Sequence, residues 1–142
     1  MRWCSFVKEY LEKKNFKSFT LLELTVVIII IVILVSIAFP HYIKILERAK
    51  ISSAKTKLAL IRQAEGVYFS LHNTYTDDFG ELAKEVPEIA EEILGDEDWS
   101  YKIVFANNTS FLAEAERKRG DYEGYVITIN EVGKFGGTHP LK

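Results

Sequence analysis

Residues 19–39 read FTLLELTVVIIIIVILVSIAF, 21 positions whose one charged side chain is Glu23. As a helix the run measures about 31 Å at roughly 1.5 Å per residue, enough to cross the hydrocarbon core of a bilayer. Two residues qualify that reading. Glu23 lies four residues inside the run, and Pro40 follows it directly. An ionisable group in a membrane segment marks function by default and calls for a partner; the bland alternative is an interfacial carboxylate that snorkels to the headgroups. Thr20, Thr25 and Ser36 can bond back to their own helix carbonyls and add little polarity. Pro40 removes one backbone donor and is expected to bend the helix without ending it, because helical sequence continues beyond it.

Working outward, residues 41–72 read as the exposed half of the same helix. Leu60, Ala64, Val67 and Leu71 recur at helical spacing, flanked by Ile61 and Tyr68, with Lys55, Arg62, Gln63 and Glu65 on the other side. Residues 41–58 are more polar all round, so a covering sheet is expected toward the C-terminal end of the helix. Asn73 is a natural left-handed cap. Thr76-Asp77-Asp78 can cap a short helix over Phe79–Lys84, and a second, Glu88 to Leu94, opens after Pro87 and closes at Gly95. Trp99, Tyr101, Ile103 and Phe105 alternate as a strand, then Phe111, Ala113 and Ala115, then Tyr125, Ile127 and Ile129. Asn107-Asn108 turns the first pair, and a polar turn with Arg117-Lys118-Arg119 the second. Residues 131–142 read as an irregular tail. The fold class is α+β: a long helix packed by its C-terminal half on a three-stranded antiparallel sheet.

Charge and composition remove several function classes. Residues 1–18 hold five basic groups (Arg2, Lys8, Lys13, Lys14, Lys17) against Glu9 and Glu12, net +3; the whole chain is −2, which leaves −5 for residues 19–142. That mild acidity argues against nucleic-acid binding by bulk charge, and three cations in one hairpin turn read as solvated. Residues 40–57 also hold five Lys/Arg, so the positive-inside rule ties. The one cysteine, Cys4, precedes the run, so no disulfide can staple the segment after it. His41, His72 and His139 are scattered, and no G-x-S-x-G, H-E-x-x-H, C-x-x-C or phosphate loop occurs. No catalytic residue is expected. The clusters Asp77, Asp78, Glu81 and Asp96, Glu97, Asp98 read as helix N-terminal charge and solvated loop rather than a metal site. Asn107–Ser110 contains overlapping acceptor sequons, a weak sign of modification.

Lys17-Ser18-Phe19-Thr20-Leu21-Leu22-Glu23-Leu24 resembles the processing site of type IV prepilins and their pseudopilin relatives. The family pattern is a basic leader ending in Gly, then Phe-Thr-Leu-x-Glu-Leu, an apolar run, and a Pro 21 positions after the Phe; Phe19, Thr20, Leu21, Glu23, Leu24 and Pro40 hold that register. Ser18 departs from the Gly, though as a small residue it fits a tight peptidase pocket. Ala64-x3-Tyr68-x6-Tyr75 resembles the helix end of the same family, where the bland reading of both tyrosines is core and hinge packing. The resemblance covers residues 13–75 well and the rest in outline.

What the resemblance implies is an N-terminal leader, 1–18, on the cytoplasmic side, cut by a prepilin peptidase between Ser18 and Phe19, with N-methylation of Phe19. Residues 19–39 would be the transmembrane and filament-core helix, 40–73 its exposed half, 74–98 the connection and 99–142 sheet and tail. Assembly would rest on Phe19, Glu23 and Pro40. The implied partners are an inner-membrane assembly platform, the membrane, and further copies in a homo-oligomeric or mixed pilin filament. The chain would start as a single-pass inner-membrane protein with its C-terminal head outside, and end in a cell-surface or periplasmic filament. No cofactor is implied. Metal is expected to be absent too: the calcium loop of the major pseudopilins corresponds to Asn130–His139, which offers only Asn130 and Glu131 as side-chain donors. A type IV pilus subunit is the first reading; a pseudopilin of type II secretion and a non-polymerising membrane-anchored binding domain are the alternatives.

Overall fold

A helix, α1, runs Leu21–His72 with Pro40 inside it. The computed structural model describes residues 19–141; the expected leader, 1–18, with Ser18 at its end, lies outside the described residues. Pro40 has no N–H for the Ser36 carbonyl, yet the helix continues through it, as the sequence beyond it requires. The described residues up to Tyr42 belong to one unit and those from Ile43 to a second. In the first unit every residue from Phe19 to Tyr42 is exposed, and none of its membrane-length apolar window is buried.

In the second unit α1 buries one face: Glu47, Ile51, Ala54, Leu58, Ile61, Ala64 and Glu65. Steps of three and four keep these side chains on one side. This corrects the stripe expected from hydropathy, since Val67 and Leu71 are exposed and Leu60 is half-buried. The buried face also starts earlier than expected, inside the polar-looking stretch 41–58. The cause is that carboxylates stand at both ends of the true stripe, which hides its register from an apolar pattern.

Asn73 ends α1 in the left-handed region, φ 56°, with its N–H on the Phe69 carbonyl at 2.8 Å. Asp78 caps α2, Phe79–Glu85, by accepting the Gly80 N–H at 2.7 Å. Helix α3, Glu88–Leu94, opens after Pro87 and stops at Gly95, as predicted. Four antiparallel strands follow in the order β1-β2-β3-β4: β1 Trp99–Ala106, β2 Phe111–Arg117, β3 Val126–Asn130 and β4 Phe135–Gly137. Two corrections lie here. The tail is not irregular throughout, because Phe135–Gly137 pairs with β3 and makes a fourth strand. Phe105 does not face the core: the register slips between Ile103 and Phe105, and this bulge turns Phe105 outward, 45% exposed.

One hydrophobic cluster joins the helix face to Leu82, Ile89, Trp99, Ile103, Phe111, Ala113, Ala115, Ile127 and Ile129. The paired inner strand β2 offers Ala113 and Ala115, both fully buried, so the sheet presents little bulk at its middle. Strand β4 escaped the sequence pattern because glycines build it. Gly137 has φ +109°, and a Cβ there would collide with the carbonyl oxygen of Val126. Gly137→Ala is therefore expected to cost at least about 2 kcal/mol and to unpair β4, read as a lower thermal midpoint and faster amide exchange of Ile127 and Ile129 in the full chain in detergent.

Candidate functional site

The expected site residues occupy the start of α1. Phe19 precedes the helix and is 73% exposed. Thr20 is its cap: the Thr20 hydroxyl oxygen accepts the Glu23 N–H at 3.2 Å, and the Thr20 carbonyl accepts the Leu24 N–H at 3.2 Å. Thr20-x-x-Glu23 thus has the spacing of a capping box, and Glu23 places a carboxylate in the first turn, where the helix dipole favours it. Glu23 makes no ion pair among the described residues. The Thr25 and Ser36 hydroxyls donate to the Leu22 and Val32 carbonyls at 2.8 and 2.7 Å, so the run carries almost no free polarity. Phe19, Thr20 and Glu23 are adjacent through the helix start; Pro40 lies about 17 residues, or roughly 25 Å of helix, further on. What this segment offers chemically is an apolar cylinder with one carboxylate at its open end.

The second unit holds a polar network that sequence reasoning did not assemble. Arg117 ends β2 with its side chain 4% exposed. Its Nε and Nη2 donate to the two Glu47 carboxylate oxygens at 3.0 and 3.2 Å, and its Nη1 donates to the Asp98 carboxylate and carbonyl at 2.8 and 2.9 Å. The guanidinium also lies over the Trp99 ring. Glu47 takes a further contact of 3.3 Å from Nε2 of His139, which is fully buried. Because His139 Nδ1 accepts the Leu141 N–H, the ring proton belongs on Nε2, where it donates to Glu47. Lys50 donates to Asp98 at 3.1 Å. Lys57 and the Tyr101 hydroxyl both donate to Asp96 at 2.8 Å, and its other oxygen accepts the Asp98 and Trp99 N–H groups.

These contacts correct two expectations. Asp96 and Asp98 are structural ion-pair members rather than solvated loop, and Arg117 belongs to β2 rather than to a solvated turn. Burial pushes the Asp98 carboxyl up, but the hydrogen bonds from Arg117 and Lys50 outweigh it and hold it down at about 2. Burial also works against the Asp96 charge, and its bonds from Lys57, Tyr101 and two backbone N–H groups keep it below its ordinary value. A signal was present in the pattern: Phe111, Ala113, Ala115 and Arg117 keep one period-2 face, and Glu47 keeps the helical step to Ile51. The network reads as scaffold, fastening the end of β2 and the C-terminal segment to α1. No group of three or more His, Cys, Asp or Glu among the described residues could hold a metal ion.

Residues 13–39 match the family model described as the prokaryotic N-terminal methylation motif. Type IV major pilin protein PilA of Myxococcus xanthus (strain DK1622) is 42% identical over 66 residues, which cover 46% of this chain and 30% of that protein. The chain thus spans less than a third of that relative's length. The fold is similar to the crystal structure of the Neisseria meningitidis non-core minor pilin PilV, with a TM-score of 0.51, 18% identity, and coverage of 68% of this chain and 91% of that one.

Removing one side of the buried network strands the other. Arg117→Met is expected to destabilise the full chain by about 3 kcal/mol, and the pair Glu47→Leu with Arg117→Met to regain part of that loss; denaturant unfolding of the three proteins checks it. Asp98 gives its stability above its ordinary value of 3.8 and loses it as pH falls toward about 2. Asp98→Asn should accordingly flatten the acid limb of the stability curve.

Proposed function

We propose that this type IV pilin-like chain, which carries the N-terminal methylation motif, is a structural subunit of a type IV pilus or pilus-like filament, not an enzyme. The observation that carries the proposal is the helix start: a fully exposed apolar run that opens on Phe19-Thr20-Leu21-Leu22-Glu23 in the motif's register. An apolar cylinder with no covering face among the described residues calls for lipid first and other helices later. In this reading a prepilin peptidase cuts between Ser18 and Phe19 and the new amine is N-methylated. The cap residue Thr20 and the carboxylate of Glu23 both lie after the cut, so processing leaves the helix start intact.

The chemistry of assembly follows from the cost of Glu23. A charged side chain costs about 3 kcal/mol at the centre of a membrane helix on insertion scales and less toward the ends, where Glu23 stands, but it still favours a partner. Pairing with the Phe19 amine of a neighbouring copy offsets that cost and sets the axial offset between helices. The run then passes from a single-pass position in the inner membrane, head outside, into the filament core, where a local bend at Pro40 lets the continuous helix pack against its neighbours. The partners are the peptidase, an inner-membrane assembly platform and further pilin copies. That PilA, 42% identical over 66 residues, is a major pilin supports a pilus over a secretion pseudopilus.

Two measurements test this. Intact mass of the chain recovered from membranes and from a sheared surface fraction should show a start at methylated Phe19 in both; a chain that keeps residues 1–18 in both fractions sinks the filament reading. Glu23→Ala should insert in the membrane as well as the parent and be missing from the sheared fraction, and its normal assembly would refute the role given to the carboxylate.

A further inference from the structure

Glu65 is the one carboxylate of the buried α1 face that has no cation. Its side chain is fully buried. One oxygen accepts the Thr76 N–H at 3.1 Å, and the other has no hydrogen-bond partner among the described residues. The basic residues near it along α1 and the one on α2 make other contacts. On its own helix, Arg62 donates to the Glu131 carbonyl at 2.9 Å and His72 faces Glu85 at 3.4 Å. On α2, Lys84 is paired with Glu81. From the connection, Asp77 adds a second negative charge. Among the described residues no cation pairs with Glu65, and a buried unpaired carboxylate is costly.

The Thr76 contact matters because of what the loop carries. Tyr75 stacks on Phe69 with ring centroids 4.7 Å apart and tilts onto Phe111 at 5.1 Å. Its N–H donates to the Asn107 carbonyl at 3.0 Å. The loop between α1 and α2 is therefore a bridge from the helix to the β1–β2 turn, and Glu65 holds the next residue along.

We propose that Glu65 is a proton-operated clasp on residues 73–78: the protonated carboxyl keeps the loop seated on α1, and loss of its proton to solvent releases the loop and uncovers the Phe69–Tyr75–Phe111 aromatic stack. This does not depend on the filament reading. Burial raises the carboxyl from 4.5 to about 7, against the Thr76 N–H, which lowers it, and with Asp77, which raises it further. The sign follows: the seated loop binds the proton more tightly than the open one. Closure is strongest below about 4.5 and is lost as pH rises through about 7.

The test is amide exchange at Thr76 in the full chain in detergent micelles, compared with Glu65→Gln, which keeps the acceptor oxygen and cannot ionise. The ratio of Thr76 opening in the parent to that in the variant should rise about tenfold per pH unit between about 4.5 and about 7, and level off above. A flat ratio overturns the proposal. Infrared spectra of the parent labelled in its glutamate carboxyls need no variant. One protonated carboxyl band should vanish with a midpoint near 7, and titration of every glutamate in the ordinary carboxylate range overturns it.

Discussion

Burial of one face of α1 is the constraint on which the second unit depends. Before Tyr42 the helix is apolar on all sides and exposed on all sides; from Glu47 on it is amphipathic and packed. A helix with no polar face cannot be satisfied by one sheet, because a sheet covers only one side. A helix with one apolar face can. The change in patterning along a single element therefore assigns two different surroundings, one supplied by the chain's own sheet and one that the described residues do not supply.

Within the packed part, hydrophobic burial supplies attraction but little direction. The face Ile51, Ala54, Leu58, Ile61 could slide by one turn against a sheet whose centre is Ala113 and Ala115. The ion pair from Glu47 to Arg117 fixes the turn that meets the end of β2, and His139 ties the C-terminal segment to the same carboxylate. Such pairs contribute little net stability against an apolar replacement. Their consequence is registry: every other alignment would leave an unpaired charge buried.

Two carboxylates on the same helix face show how environment divides one chemistry. Glu47 meets a bidentate guanidinium, and Glu65 meets one backbone N–H. The first belongs to a network whose Asp98 member contributes above the ordinary carboxylate range and fails in acid. The second contributes when protonated and fails as pH rises through about 7. The two dependences have opposite sign: acid weakens the Asp98 contacts and rising pH weakens the seating of the loop on Glu65.

Much was written in local sequence. The all-apolar run, Asn73 at the helix end, the ends of α2 and α3 and the alternation of β2 all depend on neighbours within a few residues, and the structure has them where the pattern places them; Thr20 does not bond back to a helix carbonyl as expected but caps the helix, accepting the Glu23 N–H. The helix face, the outward turn of Phe105, β4 and the Arg117 network were not. Each depends on groups far apart in the chain: Arg117 and Glu47 are 70 residues apart, and His139 and Glu47 are 92. A polar residue whose partner is that distant looks solvated in sequence, and only tertiary structure decides that it is buried, because only there do the charges meet. The same holds for Gly137, whose missing side chain reads as a break until the Val126 carbonyl occupies the space.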